Sequence, residues 1–443
     1  MRIGFSKLDI TPRVGVEMCG FGAFLHRYSI AVRDRLWARA MALSDGQKTL
    51  LVFSLDLIGV SADMTRKIRG LVAAHSGLEP ADVMVHCTHT HSAPPACELV
   101  GWGERDTPYL EILPHRVARA GAAALSNLQE ASLSYARVPC EGIGVNREYD
   151  RDAPPLDLVL RDDWRPAKPE LTDTACDVLR ADAGGRLLGF VSHFGCHPVV
   201  CCQETRYIHG DYPGVATNML ERENPGSVGL FLQGAHADVN SCCAHKPEQD
   251  SLLALDVIAA RYANSVRFGL KQARPLDAGG LASARREISF TRKPFNLEML
   301  RQKLAEQEAL FAKPGATDQD RDLRMAAVVA TNLRRMIAKM ERGDALSGPA
   351  ELQGFRAGPL AIVASPFETF QAIKNDVRAR SGHPIAWVLS VTNDYQGYAP
   401  DRTAAARGGY AADVVPFIVG LPPLANIHDE LVSEFLALGN VLA

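Results

Sequence analysis

Short runs of apolar residues alternate with stretches of helical periodicity over residues 1–285. Residues 50–57 (LLVFSLDL) and 82–87 (DVMVHC) are too apolar for strands with a solvated face, so they predict strands buried on both sides. Between them, residues 61–75 repeat apolar positions at helical spacing. Further strands are predicted at residues 1–10, 187–193, 228–233, 360–364 and 385–391, and a final helix near 426–438. The pattern predicts an α/β fold.

A different pattern occupies residues 296–312 and 318–343, which are rich in Glu, Lys, Arg, Leu, Met and Ala. Pro314 and Gly315 separate the two stretches, which predicts two antiparallel helices joined by a short turn. We expect this hairpin, residues 296–343, to be an insertion or a lid within one domain that spans residues 1–443. Strand patterns resume after it, so we expect both halves of the chain to contribute to one active site.

Composition excludes several classes of function. A net charge of −3 over 443 residues offers no electrostatic basis for binding nucleic acid. No apolar run reaches the ~18–20 residues that a membrane helix needs, and the N-terminus lacks a signal segment. The ten cysteines lack zinc-finger spacing and are expected to be small buried thiols. We therefore expect a cytoplasmic protein without membrane insertion. A homo-oligomer is compatible with the sequence.

The most specific local motif is CTHTHSAP at residues 87–94. Residues i and i+2 of a strand share a face, so His89 and His91 are expected to point the same way where the strand ends. Two converging imidazoles suit a borderline metal such as zinc. A pair of ordinary surface or core histidines is the competing interpretation. His86 is expected to be buried and hydrogen-bonded.

Two later segments add candidates. His197 precedes Pro198, which favours an extended backbone at the histidine and makes it a candidate third ligand. Residues 233–241 (QGAHADVNS) read as a strand that enters a turn rich in Gly and Ala, a way to bring backbone close to a substrate. A structural histidine and an ordinary polar loop are the competing interpretations.

The chain resembles the neutral ceramidases and their bacterial relatives. The segments that carry the resemblance are DITP (9–12), DRLWARA (34–40), the strand with Asp56, THTHSAP (88–94), NR (146–147), CHP (196–198), GDYPG (210–214), SPFETF (365–370), NDYQGY (393–398) and GGY (408–410). The resemblance implies a mixed-sheet zinc hydrolase domain. It also leads us to expect no C-terminal immunoglobulin-like domain, since the chain has no room for one.

The resemblance also implies the site residues. One zinc ion per chain would have four ligands: His89, His197, Glu368 and Tyr398. Tyr395 is the competing tyrosine ligand. His91 and Arg147 would stabilise the oxyanion or move protons to the leaving amine, and Tyr410 matches a tyrosine at the family's substrate site.

The turn at residues 236–241 departs from the family pattern. Asn240 stands where the family has a catalytic serine, with Ser241 one residue later, and His236 stands where the family has a small residue. The roles of His236 and of the pair Cys242 and Cys243 stay open.

We expect a zinc-dependent hydrolase that cleaves an amide or related acyl bond of a small or lipid-like substrate through metal-activated water. One alternative is a true ceramidase or N-acyl lipid amidase that uses Ser241. The other alternative is a zinc-binding protein without catalysis.

Overall fold

The computed structural model describes residues 1–150 and 154–443. Its strands are β1 (Arg2–Asp9), β2 (Ala31–Val32), β3 (Trp37–Ser44), β4 (Thr49–Leu55), β5 (Val83–Cys87), β6 (Gln129–Glu130), β7 (Ser132–Pro139), β8 (Gly144–Asn146), β9 (Ala175–Ala183), β10 (Arg186–Phe194), β11 (Tyr207–Ile208), β12 (Val228–Gln233), β13 (Val239–Ser241), β14 (Arg274–Leu276), β15 (Leu281–Ile288), β16 (Ala350–Ala357), β17 (Leu360–Ala364), β18 (Glu368–Thr369), β19 (Ile385–Leu389) and β20 (Tyr398–Ala399). Its helices are α1 (Ala62–Ser76), α2 (Thr107–Ser126), α3 (Leu156–Val159), α4 (Asp211–Glu223), α5 (Glu248–Gln272), α6 (Leu297–Phe311), α7 (Arg321–Glu341), α8 (Gln371–Arg380), α9 (Arg402–Arg407), α10 (Val415–Ile418) and α11 (Ile427–Leu442).

Three sheets with helices on their outer faces form the molecule, which confirms the α/β prediction. The strand orders are β5-β4-β3-β1-β6, β12-β10-β9-β7-β14 and β15-β16-β17-β19. Apolar side chains from all three sheets, among them Phe5, Val52, Leu230 and Trp387, pack into one shared core. Helices α1 and α2 cover the first sheet, α4 and α5 the second, and α8 and α11 the third. Strands β4 and β5 are buried on both faces, as their apolar runs predicted.

Each large sheet is mixed, and each contains one parallel pair of strands: β4 with β5, β10 with β12, and β17 with β19. The other pairings within these sheets are antiparallel. Loops that leave the carboxyl ends of parallel strands lie at one edge of a sheet, where α/β proteins usually bind ligands. The segments that follow these pairs supply the candidate site described below.

Both predicted helices of residues 296–343 are present as α6 and α7. The side chain of Asn296 caps α6 by accepting a hydrogen bond from the N–H of Met299. Helix α7 packs Leu333 and Met336 against α6 and Phe417. It also inserts Val328 into an apolar cluster that contains Tyr398. The hairpin is thus docked onto the domain through α7, and its status as an insertion or lid stays a prediction.

The ten cysteines are free and buried, in agreement with the expectation of small buried thiols. Within residues 1–150 and 154–443, no helix is both long and apolar enough to cross a bilayer.

Candidate metal centre

A cavity of about 530 Å³ opens at the edge where the three parallel strand pairs end. His89 follows β5, His197 follows β10, and Glu368 follows β17; all three line the cavity. Each of the three sheets therefore contributes one predicted ligand.

The backbone turns sharply at His89, which has a positive φ of 71°. Strand β5 ends at Cys87, so the prediction that strand alternation aligns His89 with His91 is wrong. The loop still brings the two imidazoles together, since their Nε2 atoms lie 3.4 Å apart. The N–H of His89 donates to Leu57 O and its Nδ1 lies 2.6 Å from Ile58 O, which ties the loop to the segment that follows β4.

His197 and His236 occupy matching positions on neighbouring strands. Phe194 at the end of β10 pairs with Gln233 at the end of β12, and each histidine stands three residues further on. The Nδ1 of His197 lies 3.0 Å from His236 O, and the Nδ1 of His236 lies 3.0 Å from Gly234 O. The motifs assigned no role to His236. Its position, equivalent to that of His197, is the signal that could have identified it.

The carboxylate of Glu368 lies at the centre of these histidines. Its Oε2 is 3.5 Å from Nε2 of His89, 3.1 Å from Nε2 of His197 and 3.6 Å from Nε2 of His236. One ligand atom from each of the four residues lies within 4.8 Å of the others. We call these four residues the imidazole–carboxylate cluster; all are buried.

Electrostatics favour the protonation states that bind a metal. Burial opposes ionisation of Glu368, but the neighbouring His89, His197 and His236 hold its pKa well below the usual range. Burial and the neighbouring His236 hold the pKa of His197 well below 6.5, and burial lowers the pKa of His236. Neutral imidazoles and an ionised carboxylate are metal-ligand forms. Among the described residues, Glu368 Oε2 and His236 Nε2 have no hydrogen-bond partner. The donor set fits a borderline divalent metal such as zinc.

Both candidate tyrosines lie next to Glu368, since Tyr398 in β20 is its partner in the parallel pairing with β18, but their side chains make different contacts. The hydroxyl of Tyr395 donates to Glu368 Oε1 at 2.7 Å. The ring of Tyr398 faces the guanidinium of Arg147, which lies 5.0 Å from the ring centroid, and packs edge-on against Tyr410 at 6.0 Å. The N–H of Arg147 donates to Asp238 O. The structure therefore places Arg147, Tyr398 and Tyr410 together in the cavity, beside the imidazole–carboxylate cluster.

Asn240 and Ser241 both line the cavity from β13, which pairs with β8. Asn240 forms a bridge with His197 and is partly exposed. Ser241 is 1% exposed, and its Oγ accepts a hydrogen bond from Cys243 N at 3.3 Å. Cys242 and Cys243 pack into the hydrophobic core around α5.

Several residues that line the cavity carried no motif. They are the apolar Phe21, Ile58, Leu99 and Trp102 and the polar Glu148, Asp150, His245, Arg321 and Arg407. Arg321 is the first residue of α7, so the helical hairpin reaches the cavity mouth. Arg407 forms an ion pair with Glu148 across the same mouth. No local pattern could have indicated these residues, because distant segments bring them together.

Comparisons with known proteins agree with this architecture. The crystal structure of the neutral ceramidase from Pseudomonas aeruginosa superposes with a TM-score of 0.75 and 21% identity, covering 99% of this chain and 74% of that one. A second solved structure, described as a ceramidase complexed with C2, gives a TM-score of 0.77 and 20% identity, covering 100% of this chain and 75% of that one. At these identities the likeness shows the fold.

No curated protein sequence matches the chain significantly. The family described as neutral/alkaline non-lysosomal ceramidase, N-terminal, matches residues 1–241, which is more than half of the chain. The chain belongs to the neutral/alkaline non-lysosomal ceramidase family.

Proposed function

We propose that this protein is a zinc-dependent hydrolase of an amide or related acyl bond in a small or lipid-like substrate. The observation that carries the proposal is the convergence of three imidazole Nε2 atoms on one carboxylate oxygen at 3.1 to 3.6 Å. Family membership supports hydrolysis of an amide bond. A bound Zn²⁺ would polarise the carbonyl and lower the pKa of the attacking water.

The metal would be held by His89, His197 and Glu368. His91 would transfer protons. Water adds to the carbonyl carbon, the carbon–nitrogen bond breaks, and the nitrogen leaves as an amine after it gains a proton. The Nε2 of His91 lies beside the cluster, and its Nδ1 is buried without a partner among the described residues. The guanidinium of Arg27 fixes the loop by donating to His91 O at 3.0 Å. His91 is thus placed to transfer a proton to the leaving nitrogen.

Arg147 would stabilise the negative charge that develops on the carbonyl oxygen. Its Nη2 is buried and has no hydrogen-bond partner within the described part of the chain. A guanidinium with a free donor that faces a reaction cavity is suited to this task. Tyr410, 46% exposed at the mouth, would contact the substrate.

The substrate is proposed to be smaller or more polar than ceramide. By its sequence resemblance, Asn240 or Ser241 stands in for the family serine, and charged side chains line the cavity mouth beside apolar ones. Ser241 also lines the cavity, which keeps a serine-assisted amidase as the second candidate. Because Ser241 is 1% exposed and its Oγ already accepts a hydrogen bond, the water-based reaction is favoured.

The decisive experiment is metal analysis of the purified protein followed by assays on N-acyl amides, esters and lactones, with and without a chelator. We expect one zinc per chain and chelator-sensitive cleavage that survives Ser241→Ala. His91→Ala should retain zinc and lose ~10²–10⁴-fold in rate. Stoichiometric zinc without cleavage of any substrate would instead indicate a non-catalytic zinc protein, and loss of cleavage in Ser241→Ala would favour the serine-assisted reaction.

A further inference from the structure

The three histidines of the imidazole–carboxylate cluster share one hydrogen-bond design. Each Nδ1 lies against a backbone carbonyl: His89 against Ile58 O at 2.6 Å, His197 against His236 O at 3.0 Å and His236 against Gly234 O at 3.0 Å. An Nδ1–H that donates to a carbonyl leaves the lone pair on Nε2, which is the usual arrangement of histidine ligands. All three Nε2 lone pairs are therefore available for metal binding beside the Glu368 carboxylate.

The spacing of the donor atoms fits one ion. Ligand atoms ~2.0–2.2 Å from one metal ion lie ~2.8–3.6 Å from their neighbours in four- and five-coordinate sites, and a fifth position would remain for the water. The Nε2 atoms lie 3.5, 3.1 and 3.6 Å from Glu368 Oε2, and His236 is within this range as closely as His89 is. His236 is therefore placed as a ligand is, although the family has a small residue at its position.

Two other buried histidines near the cluster, His86 and His193, are paired on both ring nitrogens, whereas the Nε2 of His209 has no partner within the described part of the chain. His86 contacts Thr392 Oγ1 at 2.9 Å and accepts from Gln233 N at 2.7 Å. His193 contacts Asp177 and Val388 O. His236 is 0% exposed, yet its Nε2 has no hydrogen-bond partner among the described residues. A buried ring nitrogen without a partner destabilises a structural histidine, and metal binding at Nε2 would remove that cost.

We propose that His236 is the fourth protein ligand of the metal, in place of Tyr398. The site would then consist of three imidazoles and one carboxylate. The inference deepens the proposed function, because it rests on the same metal site. Strand β20 sets Tyr398 beside Glu368 of β18, but its ring packs against Arg147 and Tyr410, where we expect it to contact the substrate and not the metal. A dication with these ligands leaves a net charge of +1, whereas a phenolate ligand in place of one imidazole would leave none. The centre would therefore attract anionic groups of substrate or product more strongly.

The test compares the Zn²⁺ affinity of three variants by competition with a chromogenic chelator. His236→Ala should weaken binding at least ~100-fold, more than the loss of an outer-sphere contact. Tyr398→Phe should stay within about threefold of the wild type. His428→Ala is the matched control, since this buried histidine in α11 pairs with Asp376 outside the cluster. Binding by His236→Ala within threefold of the wild type, or an equal loss in Tyr398→Phe, would overturn the proposal.

X-ray absorption of the zinc-loaded wild type tests the same point without any risk of misfolding. Imidazole rings give characteristic multiple scattering, so the spectrum counts them. Three imidazoles support the proposal and two overturn it. Neither readout depends on catalysis. A protein with three imidazoles at zinc that cleaves no substrate would refute the proposed function alone, and a hydrolase with two would refute this inference alone.

Discussion

Two clusters of buried polar groups differ in how completely they are paired. The guanidinium of Arg39 donates to Asp56 at 2.9 Å, to Glu221 at 3.1 Å and to Asn218. Asp56 also accepts from the N–H of Trp37, and Glu221 accepts from the N–H of Gly229. This network, which we call the arginine network, satisfies the charges that it buries.

The imidazole–carboxylate cluster is equally buried but incompletely paired. Glu368 Oε2 and His236 Nε2 have no hydrogen-bond partner within residues 1–150 and 154–443. Buried polar groups are nearly always paired, so each exception calls for a reason. Paired buried charge in the arginine network connects α4 to the sheet and is structural. A metal site requires ligand atoms that converge on one point and are not already hydrogen-bonded.

The largest effect is expected from Glu368→Ala. Removing the central carboxylate should abolish stoichiometric metal binding and hydrolysis. Stability of the metal-free protein should change by less than ~1 kcal/mol or increase, because an incompletely paired buried charge is lost. Metal content and urea unfolding of the metal-free protein measure the two effects. Retained metal would show that Glu368 is not a ligand.

Arg39→Met in the arginine network should have the opposite result: a loss of stability without a loss of metal binding. Asp56 and Glu221 would stay buried without their cation, which costs ~3–5 kcal/mol of unfolding free energy. Metal bound per folded chain should not change. Lys7→Met is the matched control: Lys7 is partly exposed and also pairs with Glu221, so its loss should cost about 1 kcal/mol or less. Equal losses in the two variants would contradict the distinction between the clusters.

A smaller effect is expected from Tyr395→Phe. This change removes the hydrogen bond that orients the Glu368 carboxylate through Oε1. Outer hydrogen bonds of this kind typically contribute ~10–100-fold to metal affinity. Chelator competition measures the loss. Tyr109→Phe serves as the control, because the buried Tyr109 hydroxyl has no partner among the described residues; an affinity change there would mean that the effect is not specific.

The smallest effect is a pH dependence of the unfolding free energy that comes from Asp177, another buried carboxylate whose oxygens are paired. Burial opposes its ionisation, but the hydrogen bond from His193 and the charge of Arg378 outweigh burial and hold its pKa well below the usual range. The folded pKa is thus below the unfolded one, so Asp177 stabilises the fold above about pH 4 and this contribution is lost as the pH falls. The difference in unfolding free energy between wild type and Asp177→Asn should therefore shrink below pH 4. A constant difference would refute the assignment.

Hydrophobic periodicity predicted the α/β class and part of the individual strands and helices, because this signal depends only on neighbouring residues. The strands at residues 50–57 and 228–233 appear as β4 and β12, and the paired helical stretches as α6 and α7. The ends of the elements were predicted less accurately. Asn296, which was predicted to lie inside a helix, is the N-cap residue of α6. The reasoning about His89 failed for a similar cause, since β5 ends two residues before it and a positive φ reorients the chain.

By itself the sequence determined the α/β class, the apolar strands and the candidates His89 and His197, and its resemblance to the family added Glu368. Only the tertiary structure decided that His236 joins them, that the hydroxyl of Tyr395 hydrogen-bonds to Glu368, and that Arg321 of the hairpin reaches the cavity. The physical reason is the distance along the chain over which each signal acts. Hydrophobic periodicity acts over a few residues, whereas the cluster forms where parallel strand pairs from three sheets end together, and that placement depends on how the sheets pack around their shared core.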